Sequence, residues 1–357
     1  DRSGAVADRA LLAEFKRFVQ RWCERNVERK PIMDSETWLS RTDYSQERKE
    51  ELRVVRRRLL GHPPTRRESS HIDSFVKTQS FPELKHCRMI NSRSDAFKVF
   101  SGPFFKTIED VLYSNPSFIK HVPVPDRPAV VSRMRSGGPY FYSTDFTAYE
   151  SHFTADIMNA CECVLYRHFM RDSDGRVDRL ADTICRAITG VNRMRTRGGC
   201  RASVLARRMS GDMCTSLGNG FTNLMLFLFV CHKSGIVGEG LVEGDDGLFA
   251  TNLPFDPSLY ARLGFTIKLD RVDDPCHASF CGVVCGPSGN ILRDPHKFLQ
   301  TFGWTHSFIN AGPRIMHELL RAKSLSAIYE APQCPIVGVL ARVGLAASTG
   351  FAPRFVA

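Results

Sequence analysis

Gly240-Leu241-Val242-Glu243-Gly244-Asp245-Asp246-Gly247-Leu248-Phe249-Ala250 places two short apolar runs on either side of a glycine and two adjacent carboxylates. A glycine in that position predicts a tight strand-to-strand turn, since it adopts positive φ at no Cβ cost and lets another segment come close. Two neighbouring carboxylates at the tip of such a turn face outward together and repel unless a cation sits between them. Oxygen-only donors of this kind suit Mg²⁺ or Mn²⁺. Gly-Asp-Asp is also an ordinary turn composition. What else the chain supplies decides between the two.

Tyr140-Phe141-Tyr142-Ser143-Thr144-Asp145 follows the punctuating Gly137-Gly138-Pro139 and is rich in aromatic and β-branched residues. It predicts a buried strand ending on a carboxylate. After it Phe153, Ile157, Cys161, Val164 and Leu165 recur at three- and four-residue intervals, the apolar stripe of a helix. Asp145 is then either a helix cap or a third acid meeting the hairpin tip. In the second case the acids would share two cations about 3.5–4 Å apart, the arrangement that stabilises both the attacking and the leaving oxygen of an in-line phosphoryl displacement. Ser210-Gly211-Asp212-Met213-Cys214-Thr215-Ser216-Leu217-Gly218-Asn219 leads through a Ser-Gly turn into the apolar run Phe221 to Cys231. Thr215 and Asn219 are spaced i, i+4 and share a helix face. They suit recognition of a sugar hydroxyl, or the segment is simply a capped core helix.

These segments together resemble the palm of viral RNA-dependent RNA polymerases of positive-strand RNA viruses, most closely those of tombusvirus-like and related fungal viruses. Asp145-x4-Glu150 is similar to the family's first motif, Ser210-Gly211-x3-Thr215-x3-Asn219 to the second and Gly244-Asp245-Asp246 to the third, in the right order and at separations of 65 and 35 positions. Leu263-Gly264-Phe265-Thr266-Ile267-Lys268 resembles the fourth and Ser279-Phe280-Cys281-Gly282 the fifth, a hairpin implied to steady the primer end. Phe75-Val76-Lys77-Thr78 and Lys85-x2-Arg88-Met89-Ile90-x2-Arg93 resemble the basic fingertips that line the channel nucleotides enter. The family usually carries Asp where this chain has Glu150, a position implied to bond the second-motif Asn. The extra methylene implies that its contact with Asn219 is shifted or remade.

The resemblance implies an α+β right-hand fold of fingers, palm and thumb, with an antiparallel palm sheet packed on helices. Its implied segments are an N-terminal extension and fingertips over 1–125, palm over 126–175, a fingers insertion over 176–208, palm over 209–285 and thumb over 286–357. Asp145 and Asp245 would bridge two Mg²⁺ ions, with Asp246 assisting and Mn²⁺ a possible substitute; no organic cofactor is expected. Arg88 and Arg93, with Lys85, would hold the triphosphate, since guanidinium forks match phosphate oxygens. Lys268 would protonate the leaving group or is an ordinary snorkelling strand lysine. Ser210, Gly211, Thr215, Asn219 and Glu150 would surround the ribose, and Phe280 and Cys281 would face the RNA.

A net charge of +11 suits a polyanionic partner. Basic residues concentrate at Arg56-Arg57-Arg58, Arg66-Arg67, Lys85 to Arg93 and Arg193 to Arg208. The last cluster predicts a hairpin, Val191 to Arg197 and Cys200 to Arg208 joined at Gly198-Gly199, whose arginines, among them Arg193, Arg195 and Arg197, would touch template phosphates together with Lys77. Twelve scattered cysteines, many inside apolar runs, predict reduced buried thiols; Cys276-His277, Cys281 and Cys285 lack a standard zinc spacing. The run Phe221 to Cys231 is shorter than the roughly 20 residues a membrane span needs. No Gly-x4-Gly-Lys-Ser/Thr loop is present, so no P-loop motor is expected.

Residues 6 to 30 predict a helix with Val6, Leu11, Phe15, Phe18 and Trp22 on one face, and Pro313 predicts the start of another ahead of Ile315, Leu319 and Leu320, with a further apolar stretch from Pro335 to Leu345. The first residue is Asp1 rather than Met, and the expectation is a piece of a larger replicase in the host cytoplasm, with any membrane attachment supplied by other replicase segments. RNA template, nascent RNA, nucleoside triphosphates and other replicase proteins are the expected partners. Two alternatives stay open. A reverse transcriptase would share the palm, but typically has an aromatic where this chain has Glu243; a silent RNA-binding scaffold would keep the charge without turnover.

Overall fold

The computed structural model describes residues 7–79, 84, 86–171 and 178–355. Val6 and Lys85 therefore lie outside the described residues. Four antiparallel strands form the central sheet, in the order Gly238–Glu243, Asp246–Thr251, Tyr140–Phe146, Ile267–Val272. Both faces are covered at the two inner strands, which are mostly buried, whereas the edge strand Ile267–Val272 carries Lys268, Asp270 and Arg271 and has no buried residue. Tyr142, Phe146, Val242 and Phe249 point into one core, while Phe141, Leu241, Leu248 and Ala250 point into another, as the two-residue period of a strand dictates.

The helix Thr215–Ser234 lies under the first face, and Phe227 stacks on Phe249 with ring centroids 3.9 Å apart. Beside it pack Arg9–Asn26, capped by Asp8, and the segment after the Asp145 strand. Along Arg9–Asn26 the buried positions are Leu11, Phe15, Val19 and Cys23, with Phe18 and Trp22 partly covered. Where one continuous helix was expected after Asp145, the chain forms a 3-10 turn, Tyr149–His152, then Ala155–Ala160 and Glu162–Phe169. The two α-helices are separated at Cys161, whose φ/ψ of −120/−89 is not helical. The break coincides with Glu162, a fully buried carboxylate paired with Arg208.

A second sheet runs Met89–Arg93, His71–Val76, Val191–Thr196, Arg201–Leu205. The expected 191–208 hairpin is its outer half, paired from Val191↔Leu205 to Arg195↔Arg201. A parallel ladder, His71↔Arg193 to Ser74↔Thr196, joins it to the N-terminal segment. The turn at Ser210-Gly211 docks against the other edge. Ser210 Oγ donates to the Met89 carbonyl at 3.0 Å and Gly211 N–H to the Asn91 carbonyl at 3.0 Å. A Cβ at Gly211 would lie 2.9 Å from that same carbonyl oxygen, so the close approach requires glycine.

The second core joins the central sheet to the C-terminal part: a small sheet of Ile291–Arg293, Val283–Cys285 and Ser279–Phe280, then the paired helices Pro313–Glu330 and Pro335–Ala347. Each helix starts on its proline, where the missing N–H costs nothing. The fold is α+β, with the antiparallel central sheet packed on helices.

Candidate active site

Glu243 pairs with Asp246 across the hairpin, leaving Gly244 and Asp245 as a two-residue turn. Gly244 has φ +62 and no non-glycine residue of the turn does, the pattern of a type II′ hairpin. Asn223, buried in the helix beneath, holds this turn from below. Its Nδ2 reaches the carbonyl oxygens of Gly244, Asp245 and Asp246 at 3.3, 3.0 and 3.2 Å. Gly220, one turn earlier on the helix, faces the same turn; a Cβ there would stand 3.4 Å from the Gly244 nitrogen, an ordinary contact.

Asp145 joins the turn through register. The ladder on one side ends at Thr144, which pairs with Gly247, so Asp145 follows at the sheet end where Asp246 begins its strand; on the other side Asp145 pairs with Lys268. Three carboxylates from distant positions thus share one end of the central sheet, with Glu150 close enough to act on Asp245 electrostatically. The consequence is visible in their acidity. Partial dehydration, then the repulsion of Asp245, Glu243 and Asp145, pushes the Asp246 carboxyl up to about 6. Dehydration first, then Glu150 and Asp145, also raises Asp245, while Arg88 opposes the shift. Both side chains remain accessible to solvent, so the dehydration is incomplete.

Crowded, accessible carboxylates with only oxygen donors fit a hard divalent cation. Among the described residues no three His, Cys, Asp or Glu side chains already form a closed metal cage. The site is an open cluster, and any cation there would take part of its coordination from elsewhere.

Several expected roles change in the structure. Arg93 is buried: it donates to Asp212 at 2.8–3.2 Å, to Asn192 Oδ1 at 2.9 Å and to the Ser69 carbonyl at 2.6 Å. Its charge is consumed inside the protein, so it cannot reach a triphosphate. Phe280 is buried in the second core and does not face RNA. Arg208, the last of the basic cluster, is likewise buried rather than phosphate-facing. Arg56, Arg57 and Arg58 pair with Glu36, Glu50 and Glu68.

The ribose group is also rearranged. Ser210 and Gly211 serve the docking of the turn, and Thr215 Oγ1 lies 2.9 Å from both the Met209 and the Asp212 carbonyl oxygens, which share its one hydroxyl hydrogen. Among the described residues Glu150 makes no hydrogen bond to Asn219; Asn219 Oδ1 instead accepts from Arg208 Nε at 2.9 Å, and its carbonyl accepts from the Tyr149 hydroxyl. The implied Glu–Asn contact is replaced by an Arg–Asn contact.

Other residues remain where a ligand could meet them. Arg88 is exposed and within electrostatic reach of Asp245, and Arg193, Arg195 and Arg197 are exposed on alternate positions of one strand and its turn. Lys77 is exposed, its N–H donating to the Arg88 carbonyl. Lys268 is exposed and donates to Asp270 at 2.7 Å, which, with Asp145 nearby, strengthens its hold on its proton. Cys281 sits half-buried in the left-handed region at φ 53, its Sγ 3.7 Å from Glu243 Oε2. Glu243 in turn lies 3.5 Å from Arg127.

The viral RNA-dependent RNA polymerase family model matches residues 2–254 of the 357. The chain belongs to that family. A relative, the RNA-directed RNA polymerase of Groundnut rosette virus (strain MC1), is 24% identical over an alignment of 236 residues that covers 59% of this chain. The chain spans about a quarter of that relative's length, 27%. The match to the viral polymerase family includes Asp145, the Ser210–Asn219 segment and the Gly244-Asp245-Asp246 turn, and stops before Lys268.

Asn223 and Glu162 of this viral polymerase-family site escape the reading of the sequence, and Arg208 is singled out there only as part of a basic cluster. Asn223 had a signal, since 215, 219 and 223 continue a polar i, i+4 line through an apolar helix. Glu162 had one too, an acid beside the stripe of Cys161, Val164 and Leu165. Arg208 had none apart from its place just before Ser210.

Proposed function

We propose that this chain carries out template-directed RNA synthesis, joining nucleoside triphosphates to an RNA 3′-hydroxyl in the replication of a viral RNA genome. One observation carries this: in a chain of the viral RNA-dependent RNA polymerase family, Asp145 and the Asp245-Asp246 turn meet at one sheet end. Those three carboxylates would hold two Mg²⁺ ions, or Mn²⁺ in their place. Such ions would activate the 3′-hydroxyl and offset charge on the pyrophosphate leaving group. Everything else is positioning and charge supplied by the chain itself.

Asn223 holds the turn rigid beneath the reacting groups. Arg88, exposed and within electrostatic reach of Asp245, binds the triphosphate through its planar fork. Lys268 is the proton donor to the leaving group once it releases Asp270. Asn219 and Glu150 face the sugar. Arg193, Arg195, Arg197 and Lys77 hold template phosphates and so position RNA without reading its sequence. In this reading the segments to residue 125 and over 176–208 act as fingers, those over 126–175 and 209–285 as palm, and 286–357 as thumb. Other replicase proteins would be partners, and the host cytoplasm the place of action.

The test is extension of an RNA template with Mg²⁺ and with Mn²⁺, with and without primer, using ribo- and deoxyribonucleotides. Incorporation of ribonucleotides that is lost in Asp245→Ala and Asp145→Asn is expected. Preference for deoxyribonucleotides would assign a reverse transcriptase instead, and RNA binding with no extension a silent scaffold. Extension by Asp245→Ala at the unsubstituted rate would overturn the site.

A further inference from the structure

Arg208 and Glu162 form an ion pair with side chains 1% and 0% exposed, Nη2 to Oε2 2.8 Å. Several neighbours hold the guanidinium, although among the described residues Arg208 Nη2 and Glu162 Oε1 make no hydrogen bond of good geometry. Phe153 lies under its plane at 4.4 Å, Nη1 donates to Cys214 Sγ at 3.3 Å, and Tyr166 donates its hydroxyl to the same Glu162 oxygen at 2.9 Å. Gly218 closes the cage: a Cβ there would stand 2.4 Å from Glu162 Oε2 and 2.5 Å from Arg208 Nη2. Nε donates to Asn219 Oδ1 at 2.9 Å.

An arginine has five N–H donors and no acceptor. Whichever atom of the Asn219 amide faces it must therefore be the oxygen, and both Nδ2 hydrogens are turned to the opposite side. Tyr149 fixes the same residue through its backbone, its hydroxyl donating to the Asn219 carbonyl at 3.2 Å. Asn219 is thus a donor-only group toward whatever lies in front of it.

We infer that Arg208 is a positioning residue for sugar selection: it locks the Asn219 amide so that only N–H groups are offered to the 2′ substituent of the incoming nucleotide. This rests on the polymerase reading above. A donor-only reader rewards a 2′ substituent that accepts a hydrogen bond and penalises one that does not. A 2′-hydroxyl accepts well, fluorine accepts weakly and a 2′-hydrogen not at all. The chain should therefore rank ribo above 2′-fluoro above 2′-deoxy nucleotides.

The experiment measures kcat/KM for single incorporation of all three nucleotides by the unsubstituted chain and by the double variant Arg208→Met with Glu162→Leu. That pair removes both buried charges together, since removing one alone would strand the other. Circular dichroism and thermal melting establish folding. The expected result is a ribo-to-deoxy ratio reduced about tenfold in the variant, the worth of one hydrogen bond, with 2′-fluoro falling to the level of 2′-deoxy. Where the double variant does not fold, Arg208→Lys is read the same way, because a single ammonium replaces the fixed fork. An unchanged ratio in a folded, extending variant overturns the inference alone, as does equal rejection of 2′-fluoro and 2′-deoxy by the unsubstituted chain. Failure of the unsubstituted chain to extend any template overturns the polymerase reading and this inference with it.

Discussion

The side-chain Nδ2 of Asn223 lies 3.0 Å from the carbonyl oxygen of Asp245, the residue at the tip of the central hairpin. With the Gly244 and Asp246 carbonyls at 3.3 and 3.2 Å, one amide gathers three successive peptide oxygens. The turn carrying two of the three clustered acids is thereby tied to the longest helix of the fold rather than left as a free loop. Asn223→Leu keeps the branched outline of the side chain, at a larger volume, and removes every one of these bonds. Stability should fall by about 1–3 kcal/mol, the cost of stranding buried polar groups. Extension activity should fall further, about a hundredfold, because misplacing a reacting group by about 1 Å costs that much. Denaturant melting and steady-state kinetics on one preparation test the two effects, and a stable variant with full activity would show that the turn holds its own shape.

Arg93 and Asp212 pair with side chains 1% and 3% exposed. Removing one partner strands a buried charge, so Arg93→Ala should cost about 3–5 kcal/mol, whereas Arg93→Met combined with Asp212→Leu should regain most of it. Urea unfolding of the two variants is the measurement. A soluble, fully stable Arg93→Ala protein would contradict the structural role given to the pair.

Arg195 and Arg197 are exposed at the end of the Val191–Thr196 strand and in its turn. If they meet RNA phosphates, replacing both by alanine should weaken binding to unrelated RNA sequences equally. The slope of log affinity against log salt should drop by roughly 0.7 per lost contact on a single strand. Fluorescence anisotropy over a salt series checks this, and a sequence-dependent loss would mean base contact instead.

Hydrogen bonds from Arg354 and Arg314 hold the Glu318 carboxyl below its ordinary 4.5. A lowered acid stabilises the fold above its unfolded value and loses that contribution as pH falls through the folded one. Glu318→Gln should accordingly melt earlier than the unsubstituted chain at pH 6, and the difference should vanish progressively below about pH 4.5. Melting curves from pH 6 to 3 measure it. The same pair docks the C-terminal tail, where Arg354 N–H donates to the Glu318 carbonyl at 3.0 Å.

Local chemistry settled much of this protein before any tertiary contact was known. The Gly244 turn between apolar runs, the strand ending near Asp145, the 191–205 hairpin and the helices beginning at Pro313 and Pro335 all follow from periodicity and turn residues. Those signals need only near neighbours along the chain. The tertiary structure alone decided where Arg93, Arg208 and Phe280 went. As members of basic or motif-like runs they look like ligands to RNA or nucleotide. Yet Arg93 meets an acid 119 positions away, and Arg208 is buried against Glu162. A charged side chain goes inside only when a distant segment brings its counter-charge, and composition cannot say which segment will. The same holds for the acids: Asp145 comes to the same sheet end as Asp246 because Thr144 pairs with Gly247, and register is a property of two strands together, written in neither one.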